Sequence, residues 1–128
     1  MFTVSNIFLK NYIDIDGYSD SNQANKDEFH KKGKVLLKQI AKELKLSEFD
    51  IRSNIAGIAV SGEITLHSPS LYMQINCSFS NHGSRILYRS CNGMTDYCGG
   101  PNNYAFFDRL KTKEQKEAFI ATLKKFVK

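Results

Sequence analysis

A chain of 128 residues, 41% hydrophobic and 24% charged, is long enough to close one core without disulfide or metal staples, and its composition is ordinary for a single folded domain over 1–128. No apolar run approaches the ~20 residues of a membrane-spanning helix, which excludes a helical membrane protein and any membrane partner that depends on one. The net charge is +5, and its distribution says more than its sum: every lysine lies outside residues 46–110, and all four arginines (Arg52, Arg85, Arg89 and Arg109) lie inside them. Lysine on a helix is usually a solvated face, whereas the planar guanidinium suits specific pairing, so the middle of the chain is where function is sought.

The opening "MFTVSNIFLKNYIDIDGYSD" lacks the cationic and long apolar regions of a secretory signal, so a cytoplasmic location is expected. Within it "FTVSNIFL" reads as an edge strand. Phe29, Leu36, Leu37, Ile40, Ala41 and Leu44 then recur at helical spacing, which predicts an amphipathic helix over about 25–45 with Asn25 as its N-cap. Gly33 costs that helix about 1 kcal/mol, so something is expected to pack closely there.

Alternation predicts two strands joined by the turn residues "SPS". Residues 58–67 turn Ile58, Val60, Ile64 and Leu66 inward and Ser61, Glu63, Thr65 and His67 outward. Residues 71–79 turn Leu71, Met73, Ile75, Cys77 and Phe79 inward. A third strand, 85–91, sets Ile86 and Tyr88 against Leu87 and Cys91, so both its faces are expected to be partly covered. Residues 91–104, "CNGMTDYCGGPNNY", form a long ordered loop. A capping box at Thr112 and Gln115 opens a closing helix with Phe119, Ile120, Leu123, Phe126 and Val127 as its stripe. The expected architecture is α+β: an N-terminal helix, a three- to four-stranded antiparallel sheet, the long loop and a C-terminal helix packed on one sheet face.

Three cysteines are an odd number, so reduced thiols are expected in place of a disulfide framework. Cys77, His82, Cys91 and Cys98 are metal-ligand types, but their spacing lacks the paired knuckles of a zinc site, and buried free thiols are the favoured reading. A Cys91–Cys98 disulfide would contribute about 2–3 kcal/mol, yet it needs an oxidising compartment. Cys98 with His67 or His82, and Asp96 with Tyr97, are the combinations that could do acid–base or nucleophilic work. No nucleophile-elbow, zinc-protease or phosphate-loop motif surrounds them, and a non-enzyme without metal or cofactor is expected. An exposed histidine beside a turn, such as His67, is commonplace.

Nucleic acid is the alternative ligand, because two lysine-rich helices supply the electrostatic footprint. A stacking platform on the sheet would need exposed rings, for which Tyr72 and Tyr88 are the candidates. The loop offers Asp96, Tyr97, Tyr104, Phe106 and Phe107, with Asn92, Asn102 and Asn103 able to bond local backbone. Arg85 and Arg89 on the preceding strand flank it, and arginine with tyrosine is the composition of binding hot spots. The competing reading is that the loop only covers the sheet, with Phe106 and Phe107 plugging the core. The candidate partner-binding residues are therefore Arg52, Arg85, Arg89, Asp96, Tyr97, Asn102, Asn103 and Tyr104.

Through "IRSNIAGIAVSGEITLH", "LYMQI" and "ILYRSCNGMTDYCGGPNN", residues 49–105 resemble small accessory proteins of bacterial phages and prophages. In that pattern a basic pair stands where this chain has Met94 and Thr95. The resemblance implies a mobile-element gene and an inhibitor of host defence of the anti-CRISPR type. Such a protein acts by binding a host protein or ribonucleoprotein complex in the host cytoplasm.

Overall fold

The computed structural model describes residues 2–9, 20–54, 63–76, 85–94, 96 and 99–127. Helix α1 runs Asp20–Glu43 and is followed by strands β1 (Asp50–Asn54), β2 (Glu63–His67), β3 (Leu71–Asn76), β4 (Arg85–Ser90) and β5 (Asn103–Phe106), then by helix α2 (Lys113–Lys124). The strands form one antiparallel sheet in chain order, β1-β2-β3-β4-β5. The class is α+β, as expected, with five strands in place of three or four. Ile58, Val60, Cys77 and Phe79 lie outside the described residues.

α1 begins five residues before Asn25, which sits inside it and not at its cap. The apolar stripe starts only at Phe29, so the first turns carry no periodic signal by which to place the start. The helix ends where Lys45 adopts the left-handed region at φ 56. Leu46 N–H donates to the Ala41 carbonyl at 3.0 Å and Lys45 N–H to the Lys42 carbonyl at 3.1 Å, the paired bonds of a Schellman motif with lysine in the position glycine prefers.

The opening segment is not a strand. Its Phe2 N–H donates to Glu43 Oε2 at 3.0 Å and its Thr3 N–H to Gln39 Oε1 at 2.9 Å, so α1 side chains take the donors that a sheet would use. Asn6–Leu9 closes as a 3₁₀ turn with Ile7 and Phe8 buried. Phe8 stacks on Phe107, with ring centroids 4.6 Å apart, and meets Phe29 edge-on at 5.6 Å.

Both helices lie on one face of the sheet. α1 packs against β1 and β2, and Phe119 of α2 meets Tyr88 edge-on at 5.5 Å. Between them lies the core of Leu36, Leu37, Ile40, Ile64, Leu66, Met73, Ile75, Ile86 and Phe107, each with essentially no exposed surface. Gly33 permits the α1–β2 approach. A Cβ there would overlap Ile64 Cδ1 and stand 3.3 Å from Ile64 Cγ1, so the expected close contact at this glycine is observed. His30 Nδ1 and Ser53 Oγ, 2.6 Å apart, tie α1 to the edge strand β1.

The "SPS" turn closes with Ser68 N–H donating to the Leu71 carbonyl at 2.9 Å, and Ser70 Oγ donates to the Phe126 carbonyl at 2.6 Å beyond the end of α2. The capping box is present: Thr112 Oγ1 accepts from Gln115 N–H, and Gln115 Oε1 accepts from Thr112 N–H, both at 3.1 Å. Phe119, Ile120 and Leu123 are buried, and Phe126 and Val127 pack against the core just past the helix. Among the described residues no helix is long and apolar enough to cross a membrane.

Candidate binding face

Alternation along each strand sends Ile64, Leu66, Met73, Ile75, Ile86 and Tyr88 toward the helices, so their neighbours must point the other way. The register orders those neighbours into rows. One row runs Asp50, His67, Tyr72, Arg89; the next Arg52, Thr65, Gln74, Leu87, Tyr104; and the third holds Glu63, Arg85 and Phe106. Neither helix lies on this side. Three of the chain's four arginines therefore share one face of one sheet.

Two of them stack on tyrosines. The Arg85 guanidinium carbon lies 4.1 Å from the centroid of the Tyr104 ring, and that of Arg89 lies 4.4 Å from Tyr72. Each is a cation–π contact, worth about 0.5–1 kcal/mol near the surface and about 2 kcal/mol when desolvated. Arg89 Nη1 also donates to Asn102 Oδ1 at 3.1 Å, which ties the end of the 91–102 loop to β4. Arg52 Nε donates to Asp50 Oδ2 at 2.7 Å while its side chain stays 70% exposed. Tyr104 is 45% exposed, among the most open large apolar side chains described.

Beneath this polar layer sits a small buried cluster of Tyr72, Leu87 and Cys91. Cys91 is buried, and its Sγ donates to the Ser68 carbonyl at 3.2 Å. The sequence expectation that both faces of β4 are partly covered holds for this reason. Cys77, His82 and Cys98 lie outside the described residues, and among those described no three His, Cys, Asp or Glu side chains gather in a way that could hold a metal.

Two expectations need correction. Neither Tyr72 nor Tyr88 is an exposed ring: Tyr72 is on the open face but only 5% accessible, with Arg89 over it, and Tyr88 meets Phe119 at 5.5 Å and Phe126 at 5.8 Å on the helix side, because adjacent β3 and β4 positions set it opposite Met73. His67 is not exposed: it is 5% accessible, with its ring edge-on to Tyr72 at 5.2 Å. A histidine at a strand end loses its solvent when the paired strand supplies a large ring directly opposite.

The remaining candidates fall into two groups. Arg52, Arg85, Arg89 and Tyr104 share the face, and Asn102 adjoins it through Arg89. Asn103 has the opposite parity, and its Nδ2 donates to the carbonyls of Tyr88 at 3.3 Å and Pro101 at 3.2 Å, so it shapes the entry to β5. Asp96 closes a turn, its Oδ2 accepting from Asn92 N–H at 2.8 Å. Tyr97 lies outside the described residues. The loop doubles back on β4 where Gly100 N–H donates to the Ser90 carbonyl at 3.0 Å, an approach that a Cβ on Gly99 or Gly100 would block.

Sequence reasoning missed that Phe106 belongs with this face while Phe107 belongs to the core; the signal was the alternation Asn103, Tyr104, Ala105, Phe106, obscured because it spans only four residues. A surface hollow of about 360 Å³ opens beside β5, lined by Tyr104, Ala105, Phe106, Asp108, Arg109 and Leu110. No family model matches the chain, and neither a curated protein nor a solved structure matches it.

Proposed function

We propose that the chain is a non-catalytic binding protein that docks its open sheet face on an anionic site of a host complex and occludes it. This is the mode of action implied by its resemblance to phage accessory proteins, and it corresponds to an anti-CRISPR-type inhibitor in the host cytoplasm. The observation that carries the reading is the gathering of Arg52, Arg85 and Arg89, with two stacked tyrosines, on the sheet face opposite both helices. Arginine and tyrosine held in rigid stacks lose little side-chain entropy on binding, which is why such residues dominate interface energetics.

The sign of the charge narrows the mechanism. An inhibitor that mimics nucleic acid would present carboxylates. This chain carries +5 overall and arginines on the candidate face, so it complements an anion and does not imitate one. The test is interference with an invading plasmid in cells that carry an active CRISPR system. Expression of the native protein should rescue the plasmid, and Arg85→Ala with Arg89→Ala should abolish rescue at unchanged protein level. Equal rescue by both proteins would refute the assignment of the face, and no rescue by the native protein across representative systems would refute the inhibitor reading.

A further inference from the structure

We propose that the anionic site gripped by this face is single-stranded nucleic acid, laid along β4 and β5 with one base against Tyr104; the inference rests on the binding-face reading above and names its ligand. Arg85 and Arg89 are four residues apart on one strand, which at 3.3 Å per residue sets their origins roughly 13 Å apart. Tyr104 stands one strand over and opposite Leu87, midway between them. The arrangement alternates cation, ring, cation along β4 and its neighbour β5. A backbone of phosphates with bases between them fits that alternation, because every base has a π-face and every phosphate accepts a planar guanidinium.

Three further observations point to a strand and away from an acidic protein surface. Tyr104 is half-exposed and already stacked on one side by Arg85, so it is a rigid ring that offers area without ordering cost. The hollow of about 360 Å³ beside β5 is lined by Tyr104 and Phe106 together with Asp108 and Arg109, which combines aromatic walls with hydrogen-bonding groups. That is the lining a base edge requires, and a carboxylate side chain would find Asp108 there. The central row, Arg52, Thr65, Gln74, Leu87 and Tyr104, holds no carboxylate across the full width of the sheet. Duplex is disfavoured, since this face of the five-stranded sheet carries neither α1 nor α2 to enter a groove.

The test is fluorescence anisotropy with labelled oligouridylate, oligothymidylate and a duplex of equal length, between about 50 and 200 mM salt. The native protein should bind both single strands more tightly than the duplex. Tyr104→Ala should weaken single-strand binding on the order of tenfold, with Tyr104→Phe retaining it, because stacking needs the ring and not the hydroxyl. Arg85→Ala should lower the salt slope by about one. Duplex binding equal to single-strand binding, or a Tyr104→Ala variant that binds like the native protein, would overturn the inference, as would no binding of either strand. If strands are not bound while plasmid rescue still depends on Arg85 and Arg89, and a protein partner survives nuclease, the ligand is an acidic protein and only this inference fails. If strands are bound as described and rescue is absent, the ligand assignment stands and the inhibitor reading fails.

Discussion

The Arg85 guanidinium carbon lies over the Tyr104 ring, 4.1 Å from its centroid, although the two residues belong to different strands and are separated by the whole 91–102 loop. The contact is diagonal: Arg85 is paired with Phe106 and Tyr104 with Leu87, so the stack forms only if β5 docks on β4 in this register. A one-residue slip would send Tyr104 to the helix side and leave Arg85 without its ring.

Replacing Arg85 and Arg89 together by Ala should remove partner binding and leave the fold intact, since the Arg85 stack on half-exposed Tyr104 contributes about 0.5–1 kcal/mol and the Arg89 stack on buried Tyr72 about 2 kcal/mol. Replacing Lys31, Lys34 and Lys38 by Gln should have a modest effect on binding that fades with added salt, because these residues lie exposed on the outer side of α1 and act through screened charge. A binding titration on both sets checks the ranking.

Gly33→Ala should destabilise the protein by roughly 1–3 kcal/mol, the usual cost of overpacking, although alanine in a helix is normally favoured over glycine. The Cβ would press on Ile64, which is fully buried and has no room to retreat. Adding Ile64→Val removes Cδ1 and should recover part of the loss. Urea denaturation of the two single variants and the double variant measures the coupling.

Lys45→Gly should stabilise by about 0.5–1 kcal/mol, because the αL position at the end of α1 strains a side chain and does not strain glycine. The rise in melting temperature is the readout. Lys45→Val should move it the other way, since a β-branched residue tolerates positive φ least.

The Cys91 thiol should resist labelling in the native protein and react fully in denaturant, because it is 3% accessible and donates to the Ser68 carbonyl. Alkylation after unfolding without reductant should count three thiols for the chain's three cysteines, and native mass spectrometry should show no zinc. Fewer than three would point to a disulfide, and stoichiometric zinc would overturn the free-thiol reading.

What the chain's order of residues determined by itself is the set of elements whose signal is local. The stripe of Phe29, Leu36, Leu37, Ile40 and Leu44, the alternation through Ile64, Leu66, Met73 and Ile75 and the Thr112–Gln115 cap all depend on neighbours within a few residues, and each is present in the fold. Tertiary structure decided the rest. β1, with Ile51 as its one apolar residue, and β5, four residues long, show no apolar period, and they become strands because β2 and β4 offer edges to pair with. The opening segment leaves the sheet because Glu43 and Gln39 take the Phe2 and Thr3 donors, and the start of α1 was hidden because its first turns carry no apolar period. Most of all, the face on which Arg52, Arg85, Arg89, Tyr72 and Tyr104 meet is a consequence of register, in which a shift of one residue exchanges inside for outside. Composition could show that the arginines lie in the middle of the chain; only strand pairing could put three of them on one side of it.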